Sequence, residues 1–395
     1  MKKLFLRLFA RNKVSLPEQE PDKAPAVGGA PLLKLFDGAY CNNPHENIML
    51  SPWGIQQCFG MLLSGAAKAD AAQLDAVLGL NVKSREKLRE ERISLQKMQA
   101  EFNSFNAILC DHKDTFEKQF AKDAAHFFGG KQYRWDFSRP KECATALNAI
   151  VKRESRNMFD EVFSPQDFAG NSAMILLNVL YFRNKWLEPF EEYLTCKEPF
   201  TTQGTSHFEV DMMNGTQYVP YYNDGTIHGI ILDYEAERFK MLALTTVKTK
   251  SPLNTVTRQL AEKGLQHFLQ NSSSENKTRI KLPKLNLTSS IDLKSLLSSL
   301  GLRGIFDPQQ SSLSVLENSE NFHIGQSRQL VKLSLDENET EVAAITVTAP
   351  EGAAPSRKRI KPNEFYADHP FVLVLFDSET QAILLTAAIV HPASE

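Results

Sequence analysis

AMILLNVLYFRNKW, residues 173–186, decides how the rest of the chain is read. Its first ten residues are apolar except Asn178. A strand with one wet face alternates apolar and polar residues, whereas an unbroken apolar run is a strand covered on both faces. The stretch therefore predicts a central strand over 173–182. Toward the C-terminus, strand signals dominate. Residues 229–234 and 240–246 read as a strand pair, and 329–335 alternates at period two. RIKLPKLNL, residues 279–287, alternates as well and predicts one strand. Residues 371–376 and 383–390 read as a hairpin around the turn 377–381. A helix over 291–300 ends at Gly301. Toward the N-terminus, helices lead. One opens at Ser51-Pro52 and runs over 52–63. Others cover 70–78 and 84–101, with Asp70 and Ser84 as expected N-caps. Lys and Arg alternate with Glu in the last of these, which reads as a solvated face. The mixture predicts an α+β fold with large, mainly antiparallel sheets.

With 395 residues, length alone predicts two or three domains at about 150 residues each. No internal repeat is visible. Apolar residues make up 42% and charged residues 23%, enough for a sizeable core. A net charge of −2 gives no reason to expect a nucleic-acid or anionic-membrane partner. No apolar run reaches the length of a membrane span. Five cysteines (Cys41, Cys58, Cys110, Cys143 and Cys196) are widely spaced and lack a CxxC pair. That pattern fits neither a disulfide framework nor a zinc site, and predicts five reduced thiols in the core. GxSxG, HExxH, GxGxxG and P-loop motifs are absent, so no enzyme chemistry, cofactor or metal is expected. Residues 1–13, MKKLFLRLFARNK, are basic and apolar, but Arg7 and Arg11 interrupt the run. This reads as a flexible basic arm, joined by a Pro/Glu/Gly-rich linker to a domain from 31 onward.

Several phrases, in order, resemble the serpin family. NVLYFRNKW from Asn178 to Trp186 resembles the family's NAxYFKGxW strand, and NIMLSPWGI from Asn47 resembles its SPxSI opening at Ser51. LPKL at 282–285 and the DL…LG…F phrase at 292–306 follow. ADHPF at 367–371, Ile383-Leu384 and Val390-His391-Pro392 complete the set. The ordered phrases span about residues 31–393, so the two-or-three-domain expectation yields to one serpin-like domain over 31–395. The resemblance implies three mostly antiparallel sheets, roughly nine helices and an exposed reactive loop over about 337–362. It also implies a metastable fold and a protease inhibitor, not an enzyme. Ser51, Asn178, Trp186 and Gln329 match the shutter and breach of the central sheet. Four departures stand out: Gly54 replaces the second Ser of SPxSI, Gln329 replaces a frequent His, Ala387 takes a Gly place, and Glu339 replaces a hinge Gly.

In this family, a cleaved reactive loop enters the central sheet as a new strand. Proline cannot donate to a ladder, so the entering segment must lack it. Residues 340–349 contain neither Pro nor Gly. With side chains alternating, one face carries Thr340, Val342, Ala344, Thr346 and Thr348, all uncharged. The other carries Glu341, Ala343, Ile345, Val347 and Ala349. Glu339 shares the outward parity of Glu341; its cost relative to Gly is lost backbone freedom, about 1 kcal/mol. About fourteen inserted residues at ~3.4 Å each make a strand near ~48 Å.

By resemblance to the family's hinge pattern, the hinge comprises Glu337, Glu339, Thr340, Glu341, Val342, Ala343 and Ala344. Counting forward from Glu337 by the family's usual hinge length puts the cut at Ala353–Ala354. Counting back from Phe371 puts it at Arg357–Lys358, inside the basic cluster Ser356-Arg357-Lys358-Arg359. That cluster suits a trypsin-like specificity pocket, so Arg357–Lys358 is the expected reactive bond. A suicide inhibitor of trypsin-like proteases, acting as a monomer, is the expected function. A non-inhibitory binding or chaperone module is the alternative, on the strength of Glu339, the shutter changes and the long loop. Five N-x-S/T sequons occur, at Asn214, Asn271, Asn276, Asn286 and Asn338. A glycan at Asn338 would obstruct insertion. With the odd cysteine count, this favours an intracellular over a secreted location.

Overall fold

The structure, a computed structural model, describes residues 29–98, 101–168, 174–202, 206–317, 322–337 and 361–392. Met174–Phe182 is a strand whose nine residues are all buried. It lies third of five strands, in the order Leu285–Asp292, Gln326–Leu335, Met174–Phe182, Phe102–Asp111 and Lys131–Trp135. Burial on both faces has a simple source. Ile175, Leu177 and Val179 point to a core beneath the helix Pro140–Glu154, which supplies Leu147 and Val151. Met174 and Leu176 point the other way, into a core shared with the helices Pro52–Gly60 and Gly29–Asn42. Leu180 and Phe182 reach a further core with the remaining sheets.

A six-stranded sheet is antiparallel throughout, in the order Ile48–Leu50, Ile383–Ile389, Phe371–Asp377, Phe239–Thr246, Ile227–Asp233 and Tyr221–Asn223. The expected hairpin and strand pair are both in it. A four-stranded sheet runs Asn363–Tyr366, Thr278–Pro283, His207–Gln217 and Cys196–Thr201. Eight α-helices and four 3-10 helices occur among the described residues. The α+β, three-sheet expectation is met.

Five local expectations need correction. RIKLPKLNL is two strands, not one: Thr278–Pro283 belongs to the four-stranded sheet and Leu285–Asp292 to the five-stranded one. Between them the Lys284 amide donates to Asp211 O at 2.8 Å. Asp70 is not an N-cap; its helix is Lys68–Leu78, and its buried carboxylate accepts from Ser312 N and Oγ, each at 2.8 Å. Ser84 opens the next helix, Ser84–Gln96, but bonds back to Asn81 instead of capping. That helix stops short of 101, because Phe102 begins a sheet strand. Finally, all five cysteines are free, but only Cys58, Cys110 and Cys143 are buried; Cys41 and Cys196 are exposed.

Candidate functional site

Two clusters bear on the five-stranded sheet. The first lies under its centre. Ser51 caps the helix Pro52–Gly60: its Oγ accepts from Gly54 N at 3.1 Å. Its backbone is held by the Gln329 amide, with Ser51 N donating to Oε1 at 2.8 Å and Nε2 donating to Ser51 O at 3.0 Å. Gln329 Nε2 also donates to Asn178 Oδ1 at 2.7 Å, and Asn178 Nδ2 donates to Asn106 Oδ1 at 2.8 Å. All four side chains are buried. Buried amides satisfied in this way fix one arrangement of neighbouring strands. The chain of contacts contains no titratable group. Gly54 makes it possible: a Cβ there would lie 2.5 Å from Asn178 Oδ1 and 2.8 Å from Ser51 Oγ.

Ser51, Asn178 and Gln329 thus come together. Trp186 does not join them. It sits at the end of the sheet, stacked on Tyr234 with ring centroids 4.4 Å apart, and donates to Asp336 O at 2.9 Å. One residue further, Glu337 is gripped at both ends. Its carbonyl accepts from Phe190 N at 3.0 Å, while its carboxylate accepts from Thr195 Oγ1 at 2.7 Å and Lys284 Nζ at 2.6 Å. Burial alone would raise the Glu337 pKa, but the hydrogen bonds from Lys284 and Thr195 outweigh it and hold it below the ordinary value. The same bond to Glu337 raises Lys284. Lys284 and Thr195 were not legible as partners, since nothing local in the sequence marks a contact across 53 or 142 residues.

Between the two clusters the sheet is incompletely joined. Gln326–Leu335 and Met174–Phe182 are parallel, and their ladder runs from Gln326↔Ile175 to Val331↔Leu180. Beyond it, residues 332–335 pair only with Leu285–Asp292 among the described residues. A cleft of about 560 Å³ opens at this end, lined by Arg183, Lys332, Ser334 and Asp336 among others. Glu339, Thr340, Glu341, Val342, Ala343, Ala344, Ala353, Ala354, Arg357 and Lys358 lie outside the described residues.

Elsewhere, ligand atoms of Asp111, His112 and Asp136 lie within 4.8 Å of one another. Their carboxylate oxygens already accept from the amides of Lys113, Phe137 and Ser138. No described helix is long and apolar enough to cross a membrane.

The fold built from these three sheets is one that known proteins share. A family described as serpin (serine protease inhibitor) matches residues 32–392. Rat glia-derived nexin (Rattus norvegicus) is 26% identical over 370 residues, covering 91% of each chain. Human neuroserpin (Homo sapiens) is 26% identical over 376 residues, covering 91% of this chain and 90% of its own. The crystal structure of native protease nexin-1 with heparin superposes with a TM-score of 0.82 at 24% identity, covering 93% of this chain and 98% of that one. Manduca sexta serpin-12 gives 0.81 at 20% identity, covering 94% and 99%. The chain belongs to the serpin family.

Proposed function

We propose that the protein is a suicide-substrate inhibitor of trypsin-like serine proteases. The observation that carries this reading is the seam between Gln326–Leu335 and Met174–Phe182, with its ladder ending at Val331↔Leu180. Among the described residues nothing pairs with that edge of 332–335, which gives a strand arriving after Glu337 a ladder to join. The segment that follows Glu337 suits that role, since 340–349 lacks proline and its inward parity is uncharged. In this mechanism the protease cuts the Arg357–Lys358 bond and is acylated by the new carboxyl end. The freed segment then enters the seam and drags the protease along before deacylation. The fit of Arg357 to an acidic specificity pocket supports this bond over Ala353–Ala354.

Trypsin tests it. Boiling a mixture in detergent should leave a covalent complex on a gel. The released C-terminal fragment should begin at Lys358 by mass spectrometry. A fragment beginning at Ala354 moves the reactive bond to the other register. Cleavage with no covalent complex would instead fit a non-inhibitory member, the reading that Glu339 and Gly54 favour.

A further inference from the structure

We propose that Arg328 is a strap across the seam, and that its release sets the rate at which a cleaved reactive segment enters the central sheet. The proposal rests on the inhibitory reading above. Arg328 lies on Gln326–Leu335, and its Cα partner across the seam is Leu177 of Met174–Phe182. Its neighbour Gln329 is bonded to Ser51 and Asn178 under the sheet. Side chains alternate along a strand, so Arg328 takes the opposite face. There the guanidinium is used three times. Nη1 donates to Val162 O at 2.8 Å, Nη2 donates to Asp167 Oδ1 at 3.0 Å, and Cζ lies 4.8 Å from the centroid of the Phe163 ring. The Arg328 side chain is 25% exposed and that of Asp167 14%, so water competes weakly for the pair.

The residues that Arg328 holds belong to the other side of the seam. Phe159, Phe163 and Phe168 share a core with the helix Pro140–Glu154. That core takes three buried residues from each of Phe102–Asp111 and Met174–Phe182, but from Gln326–Leu335 only Leu330 among the described residues. Asn148 pins the segment to the helix. Its Oδ1 accepts from Val162 N at 3.0 Å and Phe163 N at 2.9 Å, and its Nδ2 donates to Phe163 O at 2.8 Å. The second carboxylate oxygen of Asp167 accepts from Ser164 N at 2.7 Å. Phe168 precedes Met174 by six residues, at most about 22 Å of chain. The segment is therefore leashed to Met174–Phe182, whereas Arg328 rides on the strand across the seam.

A strand entering between Arg328 and Leu177 adds one inter-strand spacing, about 4.8 Å. A hydrogen bond near 3 Å is lost once stretched past about 3.5 Å. Before the new strand seats, Arg328 must let go of Val162 and Asp167, or residues 162 and 163 must let go of Asn148. The strap therefore stabilises the unfilled sheet alone and slows its conversion.

The test uses full-length Arg328→Met and trypsin. Methionine keeps an apolar stem over Phe163 and removes both donors. At saturating trypsin, the limiting rate of covalent-complex formation should rise about tenfold. The melting temperature of the intact chain should fall, while that of the nicked chain should equal the nicked wild type's. Asp167→Asn should act in the same direction by less, because Val162 O still accepts from Arg328, and it carries the comparison if Arg328→Met fails to fold. An unchanged limiting rate overturns the proposal. So does an equal fall in the intact and nicked chains, because Arg328 would then serve both states alike. A wild type that forms no covalent complex, and whose melting temperature nicking leaves unchanged, overturns the inhibitory reading instead, and this proposal with it.

Discussion

Glu337 and Glu91 are both buried carboxyls, and their partners send them in opposite directions. Glu337 has a lysine and a hydroxyl; Glu91 has Trp53 Nε1 at 3.2 Å. Burial pushes Glu91 up to about 7, only partly opposed by Lys87 and the indole. With its folded pKa raised, the native state holds a proton that the unfolded chain releases near ~4.3. Stability therefore falls as pH rises from there to about 7. Glu91→Gln keeps an acceptor for Trp53 and removes the titration. It should match the wild type at pH 4.5 and exceed it at pH 8 by up to about 3 kcal/mol. Melting curves at both pH values check this; an equal gap at both would assign the titration elsewhere. Glu337 runs the other way. Its depressed pKa gives stabilisation that is present above the unfolded value of ~4.3 and lost as pH falls through the folded one. Glu337→Lys sets two lysines together and removes the acceptor from Thr195. At pH 7 it should cost about 2 kcal/mol, moderated by the 40% exposure of the Lys284 side chain. Urea denaturation at pH 7 and pH 3.5 should show that cost shrinking in acid, and a cost unchanged at pH 3.5 would refute this account.

At the scale of elements, the proposed inhibition turns on the hinge and the strand it would join. Thr340→Arg puts a cation on the inward parity of the entering strand, where no partner awaits it in the apolar run Met174–Phe182. It should turn inhibitor into substrate, raising the number of molecules consumed per protease inactivated. Glu339→Gly should lower that number by restoring backbone freedom. A ratio untouched by Thr340→Arg would mean that insertion is not the mechanism. The strand Met174–Phe182 was legible because nine successive buried residues leave no polar alternation to hide it. The break at Lys284 is also written in the sequence. Ile280 and Leu282 are buried at even positions, Leu285 and Leu287 at odd ones, so the period slips by one residue where the chain changes sheets. Pro283, which has no amide hydrogen, stands at the slip. Asp70 misled because an acidic residue in a first turn looks the same locally whether it caps the helix or serves Ser312, 242 residues away. Ser51, Asn178 and Gln329 could be picked out by resemblance. Asn106 could not, since its role arises from cross-strand register with Asn178.

For the whole molecule, the open seam predicts a change in stability on nicking. If residues following Glu337 complete the ladder beside 332–335, cleavage by trypsin should raise the melting temperature sharply, because insertion converts an unfilled edge into paired strand. Calorimetry before and after nicking measures it, and an unchanged melting temperature identifies a chain that does not insert. The crossing at Lys284 has a mechanical consequence for such a transition. Its amide is tied to Asp211 in one sheet, its ammonium to Glu337 at the mouth of the seam, and the chain on either side belongs to two different sheets. A pull on residue 337 is thus delivered along Leu285–Asp292 as shear, against a ladder of eight register pairs with Gln326–Leu335, and across Thr278–Pro283 into the strand Asn363–Tyr366. Lys284 behaves as a rivet through overlapping plates. Load applied where the reactive segment leaves the fold is felt at once where that segment returns.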